Sequence, residues 1–174
     1  MRSSAELAYL GLGSNVGDRK AKLDAALEEL GWVDQVEVTA CSAVYETEAM
    51  DDAAGQRDFY NAAVAVRTTL EPQDLLRRCK AIERRLGREP NPPRHAPRPI
   101  DVDVLLFGDR QVSEPDLVVP HPGITKRRFV LLPLLELDPA LALPGGQPLA
   151  EALAALGDAQ RAVRVGALER SAQE

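Results

Sequence analysis

Cysteine is scarce: Cys41 and Cys79 are the only two in 174 residues. Two thiols are too few for a disulfide-stapled scaffold, and both are expected as small buried core residues rather than a bridge or a metal pair. No stretch of 18 apolar residues occurs, so no membrane-spanning helix is expected. The N-terminus lacks a basic segment followed by an apolar one and a small-residue cleavage site, which leads to the expectation of a cytoplasmic protein. Aromatic residues number only seven and the pI is near 5.1, which argues against an RNA-binding sheet with exposed stacking aromatics. The Gly-x-x-x-x-Gly-Lys-Ser/Thr phosphate loop is also absent.

What is present is a core-forming composition, 45% apolar, and a net charge of −6. One domain spanning 1–174 is expected, with a polar, Ala-rich tail after about residue 157 that need not be ordered. The charge is unevenly spread. Residues 77–98 hold eight Arg or Lys against two Glu, and Lys126-Arg127-Arg128 adds three more positive charges. The rest of the chain carries −15. Such focusing suits a small anion better than nucleic acid or an anionic membrane.

The stretch around which the chain is organised is Ile100-Asp101-Val102-Asp103-Val104. Apolar and acidic residues alternate there with the period of a half-buried strand, so Ile100, Val102 and Val104 are expected inward and Asp101 and Asp103 together on the other face. Two residues along a strand span roughly 6.6 Å, and two carboxylates at that separation can flank metal ions held ~3.5–4 Å apart. Hard oxygens suit Mg²⁺. Just before the strand, between Gly87 and Ile100, lie Arg88, Arg94, His95 and Arg98 among five prolines. Long irregular segments inside a compact domain are usually functional. Guanidiniums for phosphate oxygens beside acids for a metal point to a nucleotide-polyphosphate site.

Elsewhere the pattern predicts a first strand over 6–12, through Leu7, Tyr9 and the glycines, that runs into Gly11-Leu12-Gly13-Ser14-Asn15-Val16-Gly17-Asp18, read as a tight strand-to-helix turn with Asp18 as helix N-cap. Leu23, Ala26, Leu27 and Leu30 then mark a helix ending near Gly31. Residues 36–47 read as one long strand and 48–57 as a loop; 59–67 resume as a strand in which Phe59 and Asn61 share a face, a pairing that suits a flat heterocycle as well as an ordinary core. Pro72, then Leu75, Cys79, Ile82 and Leu86, then Gly87 mark an amphipathic helix, near whose end Glu83 is placed to pair with Lys80 or a neighbouring Arg. Short strands at Val112 and 117–119, a rigid turn at Pro120-His121-Pro122-Gly123, a helix after Thr125 and a short helix over 149–156 complete the chain. The order β-α-β-β-α-β implies an α+β fold, with two helices on one face of an antiparallel sheet, the other face free for a site, and extra short C-terminal elements.

Together these segments resemble the 6-hydroxymethyl-7,8-dihydropterin pyrophosphokinase family from Tyr9 to about Pro144. The matching pieces are Leu10-Gly11-Leu12-Gly13-Ser14-Asn15, Tyr45-Glu46-Thr47, Asp58-Phe59-Tyr60-Asn61-Ala62-Ala63, Glu83 with Gly87-Arg88, Ala96-Pro97-Arg98-Pro99-Ile100-Asp101-Val102-Asp103, Val119-Pro120-His121-Pro122 and Arg127-Arg128-Phe129. The resemblance implies a ferredoxin-like fold and transfer of diphosphate from ATP to the pterin hydroxymethyl group, with AMP released. It implies two Mg²⁺ ions on Asp101 and Asp103, with Arg88 and Arg98 completing the catalytic set on the phosphates. Glu83, His121 and Arg127 would join them around the nucleotide, and Thr47, Phe59, Asn61 and Phe129 would hold the pterin. Small-molecule substrates, no nucleic acid or membrane partner, and a monomer are expected.

His95-Ala96 stands where many members carry Trp-Gly, and Glu48-Ala49-Met50-Asp51 where a Pro- and Gly-containing run is usual. Both changes fall in the two long irregular segments, 48–57 and 88–98, which are expected to be the most mobile without ligand and to order around substrate. The alternative is a catalytically silent ferredoxin-like module that binds a nucleotide for regulation.

Overall fold

A computed structural model of the chain describes residues 4–49, 56–87 and 99–169. β1 (Glu6–Ser14) leads to α1 (Arg19–Trp32), β2 (Val36–Cys41), β3 (Ala43–Thr47), β4 (Phe59–Thr68), α2 (Pro72–Arg85), β5 (Asp101–Phe107), a hairpin of β6 (Val112–Glu114) and β7 (Leu117–Val119), α3 (Arg128–Leu137), α4 (Leu149–Leu156) and β8 (Ala162–Ala167). The main sheet is antiparallel and runs β5-β1-β4-β3-β8, with β2 also on β4. Among the described residues, no helix is long and apolar enough to cross a membrane.

Local chemistry explains most boundaries. Asp18 caps α1 by accepting the Ala21 N–H at 3.0 Å, and Leu23, Ala26, Leu27 and Leu30 form its buried stripe. Pro72 opens α2, where its missing N–H costs nothing. Gly87, at φ 103°, ends that helix in the left-handed region.

The 36–47 strand is broken at Ser42. The Ser42 hydroxyl accepts the Ala63 N–H at 2.8 Å and donates to the Ala43 carbonyl at 2.8 Å, while its own N–H reaches the Ala63 carbonyl at 2.9 Å. A side chain thus replaces one rung of the ladder, β2 pairing with the far half of β4 and β3 with the near half. Cys79 is buried as expected, but Cys41 is exposed, because β2 at that end has its side chains outside the core.

The sheet is covered on both faces, which corrects the expectation of helices on one face alone. Ala8, Leu10, Leu12, Val64, Val66, Val102 and Val104 pack with α1 and α2 on the first. Tyr9, Ala63, Ala65, Leu105 and Leu106 pack with Leu131 and Leu134 of α3 and Leu149 and Ala152 of α4 on the second. The reason is a second apolar set on the alternate positions of β1, β4 and β5, which needs covering too. Where the sequence suggested only a polar tail, β8 pairs antiparallel with β3, Ala162 opposite Thr47.

Candidate active site

Val102 and Val104 belong to the core under α1 and α2, so the pleat sends Asp101 and Asp103 to the second face, as the alternation predicts. Register places Asp101 opposite Gly13 and Asp103 opposite Gly11 on β1. Asp101 is 9% exposed and Asp103 half-buried. From the strand's outer edge Glu83 of α2, itself buried, accepts the Val102 N–H at 3.2 Å on one oxygen and takes Lys80 Nζ at 3.0 Å on the other. That carboxylate therefore grips the backbone between the two aspartates.

β1 continues through Gly13 and Ser14, past its expected end at Leu12, and the turn begins only after Ser14. Gly13 lies between Asp101 on one neighbour and Asn61 on the other. A Cβ at Gly13 would come within 2.9 Å of Asn61 Oδ1 and 3.9 Å of Phe59 Cδ1. The strand is bare where a side chain would fill the space between the acids and the carboxamide, a separation of two strand spacings, roughly 10 Å. Asn61 Nδ2 donates to Thr47 Oγ1 at 2.6 Å, and both residues are buried. Phe59, Asn61 and Thr47 thus meet at one end of the second face. Apolar Tyr9, Ala65 and Leu106 occupy the other end under α3 and α4.

The start of β4, where Phe59 sits, is fastened to the turn after β1. Asn15 Nδ2 donates to Gln56 Oε1 at 3.0 Å. Arg19 donates to the Asp58 carbonyl at 2.8 Å, pairs with Glu46 at 3.1 Å and stacks 3.9 Å from the Tyr60 ring centre.

His121 follows a cis Val119–Pro120 bond; its N–H is held by the Leu105 carbonyl at 2.9 Å, and its Nδ1 accepts the Gly123 N–H at 3.0 Å. Burial, helped by the Arg127 charge, pushes the imidazole below its ordinary value. Arg127 lies against Gly123, where a Cβ would meet its Nε at 2.9 Å, and its guanidinium is 5.8 Å from the Phe129 ring centre. Arg127 also precedes α3, whose first turn is anchored by Gln160. That side chain accepts the Arg128 N–H at 2.7 Å and donates to the Lys126 carbonyl at 3.0 Å. Gln160 precedes β8, whose Ala162 opposes Thr47, itself opposite Phe59. Phe129 is consequently carried at the Thr47–Phe59 end of the second face.

The structure thus gathers Thr47, Phe59 and Asn61 around Gly13, sets Asp101 and Asp103 across from them, and clusters His121 with Arg127 and Phe129. Arg88, Arg94, His95 and Arg98 lie outside the described residues, as do 50–55. Among the described residues no group of three or more His, Cys, Asp or Glu side chains gathers to hold a metal. Two hard oxygens beside a bare strip suit a small divalent cation that takes its other ligands from phosphate and water. Gly11 and Gly13 were missed as site residues although their period-2 alternation with Leu10 and Leu12 was on view. Ser42, Glu136 and Gln160 give no sequence signal beyond being polar.

Residues 9–139 match the family described as 7,8-dihydro-6-hydroxymethylpterin-pyrophosphokinase (HPPK). A 2-amino-4-hydroxy-6-hydroxymethyldihydropteridine pyrophosphokinase of Methylorubrum extorquens is 48% identical over 149 residues, covering 86% of this chain and 92% of that one. Its namesake from Aquifex aeolicus is 40% identical over 136 residues, 78% of this chain and 82% of that one. Among solved structures, a Plasmodium falciparum HPPK-DHPS aligns over 88% of this chain with a TM-score of 0.69 at 17% identity, a likeness of fold in which this chain spans 46% of that one. By its sequence along most of its length, the chain belongs to the 7,8-dihydro-6-hydroxymethylpterin-pyrophosphokinase family.

Proposed function

We propose that this chain transfers a diphosphate from ATP to the hydroxymethyl oxygen of 6-hydroxymethyl-7,8-dihydropterin and releases AMP. The observation that carries the reading is the row Asp101, Gly13, Asn61 across three neighbouring strands. It offers acids for a cation–phosphate group on one side, a carboxamide for a heterocycle on the other, and bare backbone between them. The alcohol oxygen forms a bond to the β-phosphorus as the bond from that phosphorus to the α,β-bridging oxygen breaks. AMP departs with that oxygen, and the alcohol's proton passes to solvent water. Transfer of this kind needs positioning and charge neutralisation more than covalent help from the protein.

In this reading Asp101 and Asp103 hold two Mg²⁺ ions, and Arg88 and Arg98 neutralise the phosphates. When bound, Mg²⁺ shields phosphate charge and eases loss of the alcohol proton. Glu83 holds the strand bearing the acids, while His121 and Arg127 take the nucleotide. Thr47 and Asn61 hydrogen-bond the pterin between Phe59 and Phe129. The fold reading is ferredoxin-like: with β2 and β3 counted as one broken strand, the order of the four core strands and the two helices of the first face fit it. The protein acts in the cytoplasm as a single copy on its two small substrates.

The test is direct. Mixing the protein with ATP, Mg²⁺ and the pterin releases AMP. Asp101→Ala, with an unchanged circular dichroism spectrum, loses that release by a factor on the order of 10³. ATP binding without pterin-dependent AMP release, or near-normal turnover by the folded variant, defeats the proposal.

A further inference from the structure

Phe129 rides on a helix, whereas Thr47, Asn61 and Phe59 belong to the sheet. The width of any slot between them is therefore set by how α3 is fastened to β3 and β4. Its first turn is fastened through Gln160, as described. Its last turn is fastened through Glu136, which no family resemblance singles out.

One Glu136 oxygen accepts the Ala43 N–H at 3.0 Å, and the other accepts the Tyr45 hydroxyl at 2.6 Å. Arg164 of β8 stands 3.9 Å from the first oxygen. Ala43 and Tyr45 are the first and third residues of β3, and Thr47 is the fifth, on the same face. Tyr45 also lies directly opposite Asn61 across the strands. A single carboxylate thus joins the helix that carries Phe129 to the strand that carries Thr47 and to the cross-strand neighbour of Asn61. Hydrogen bonds to an ionised acceptor are the shorter and stronger kind. Burial, the bond to Glu136 and its charge push the Tyr45 phenol up to about 12, so it remains a donor at neutral pH. The acids of β5 have no share in this clamp, since β1 and β4 stand between β5 and β3, roughly 14 Å in all.

Resting on the reading of this site as a pterin diphosphotransferase, we infer that Glu136 is a positioning residue. It fixes the gap between Phe129 and the Thr47–Asn61 edge, and so sets affinity for the heterocycle without touching it.

The test uses Glu136→Ala, Glu136→Gln and Tyr45→Phe in the full chain, with AMP release followed against each substrate in turn. Glu136→Ala raises the pterin KM about fivefold, as one lost net hydrogen bond does, and leaves the ATP KM within twofold. Glu136→Gln recovers most of the loss, because its amide oxygen still accepts the Ala43 N–H. Tyr45→Phe raises the pterin KM by a smaller factor and adds nothing in the Glu136→Ala background. Unchanged pterin KM in Glu136→Ala overturns the inference; so does an ATP KM that rises in step, or a failure of Gln to rescue. If Glu136→Ala does not fold, the Gln and Phe variants decide by titration calorimetry with the pterin, a weakened pterin in Tyr45→Phe and near-normal binding in Glu136→Gln being expected. Wild-type protein that releases no AMP overturns the assigned reaction instead, and the same calorimetry still decides the role of Glu136.

Discussion

Replacing Gly13 by alanine tests whether the bare strip of β1 belongs to the site. The new methyl carbon would lie 2.9 Å from Asn61 Oδ1 and 3.9 Å from Phe59 Cδ1. Asn61 cannot yield freely, since it is 8% exposed and its Nδ2 is committed to Thr47 Oγ1 at 2.6 Å. For stability two effects oppose. Alanine is favoured over glycine in a strand by about 0.5–1 kcal/mol, and overpacking costs about 1–3 kcal/mol. The melting temperature therefore moves by only a few degrees. Binding suffers more. On the role proposed for Asn61, a displaced carboxamide forfeits one or two hydrogen bonds to the heterocycle, about 1–3 kcal/mol together, which raises the pterin KM about 5- to 150-fold. The ATP KM stays put. AMP release at varied pterin gives the number, and a double-mutant cycle gives the cause: in the Asn61→Ala background the methyl has room and Gly13→Ala adds nothing. Additive losses in that cycle, or a pterin KM within twofold of wild type, refute the reasoning.

Other perturbations have equally definite outcomes. Glu83→Ala strips the buried Val102 N–H of its acceptor, a cost of about 1–3 kcal/mol; calorimetry shows a fall in melting temperature of roughly 3–10 °C, and Glu83→Gln, which keeps an acceptor oxygen, falls less. Burial and the Arg127 charge lower the His121 pKa from 6.5, so the unfolded chain takes up the proton first on acidification. The stability contributed by the neutral ring is complete above about pH 6.5 and is lost as pH falls through the lowered value. The melting-temperature advantage of wild type over His121→Asn is accordingly constant at neutral pH and shrinks in acid. Excess chelator abolishes AMP release without lowering the melting temperature, and added Mg²⁺ restores it.

The parts of this molecule that were legible in its sequence share one property: a buried face opposite a polar one. Asp101 and Asp103 could be assigned to one side because Ile100, Val102 and Val104 had to face the core, and α1 and α2 were readable from their apolar stripes, the Asp18 cap and Pro72. Gly13 and Ser14 were illegible as strand because neither carries a hydropathy signal that would extend the alternation past Leu12. Ser42 breaks a strand by a side-chain bond to a residue 21 positions away, which no local pattern announces. α3 reads as a helix, yet its Arg-Phe-Val-Leu-Leu-Pro-Leu-Leu-Glu-Leu sequence is apolar on nearly every side and does not say which surface it covers. β8 is half-buried only at Ala162 and otherwise exposed, leaving little alternation to detect.

The last strand has a consequence for how the molecule is made. Gln160 clamps the first turn of α3 from the lead-in to β8, and the Glu169 N–H reaches back to Asp24, 145 positions earlier. The second contact closes a long loop, whose entropy must be met before the contact can contribute, whereas Gln160 and Arg128 stand only 32 positions apart. During synthesis β1, β4 and β5 can pair and bring the two aspartates opposite their glycines before Gln160 has joined the fold. The first turn of α3, and Phe129 with it, is therefore fastened later than the row of strands that bears the two aspartates.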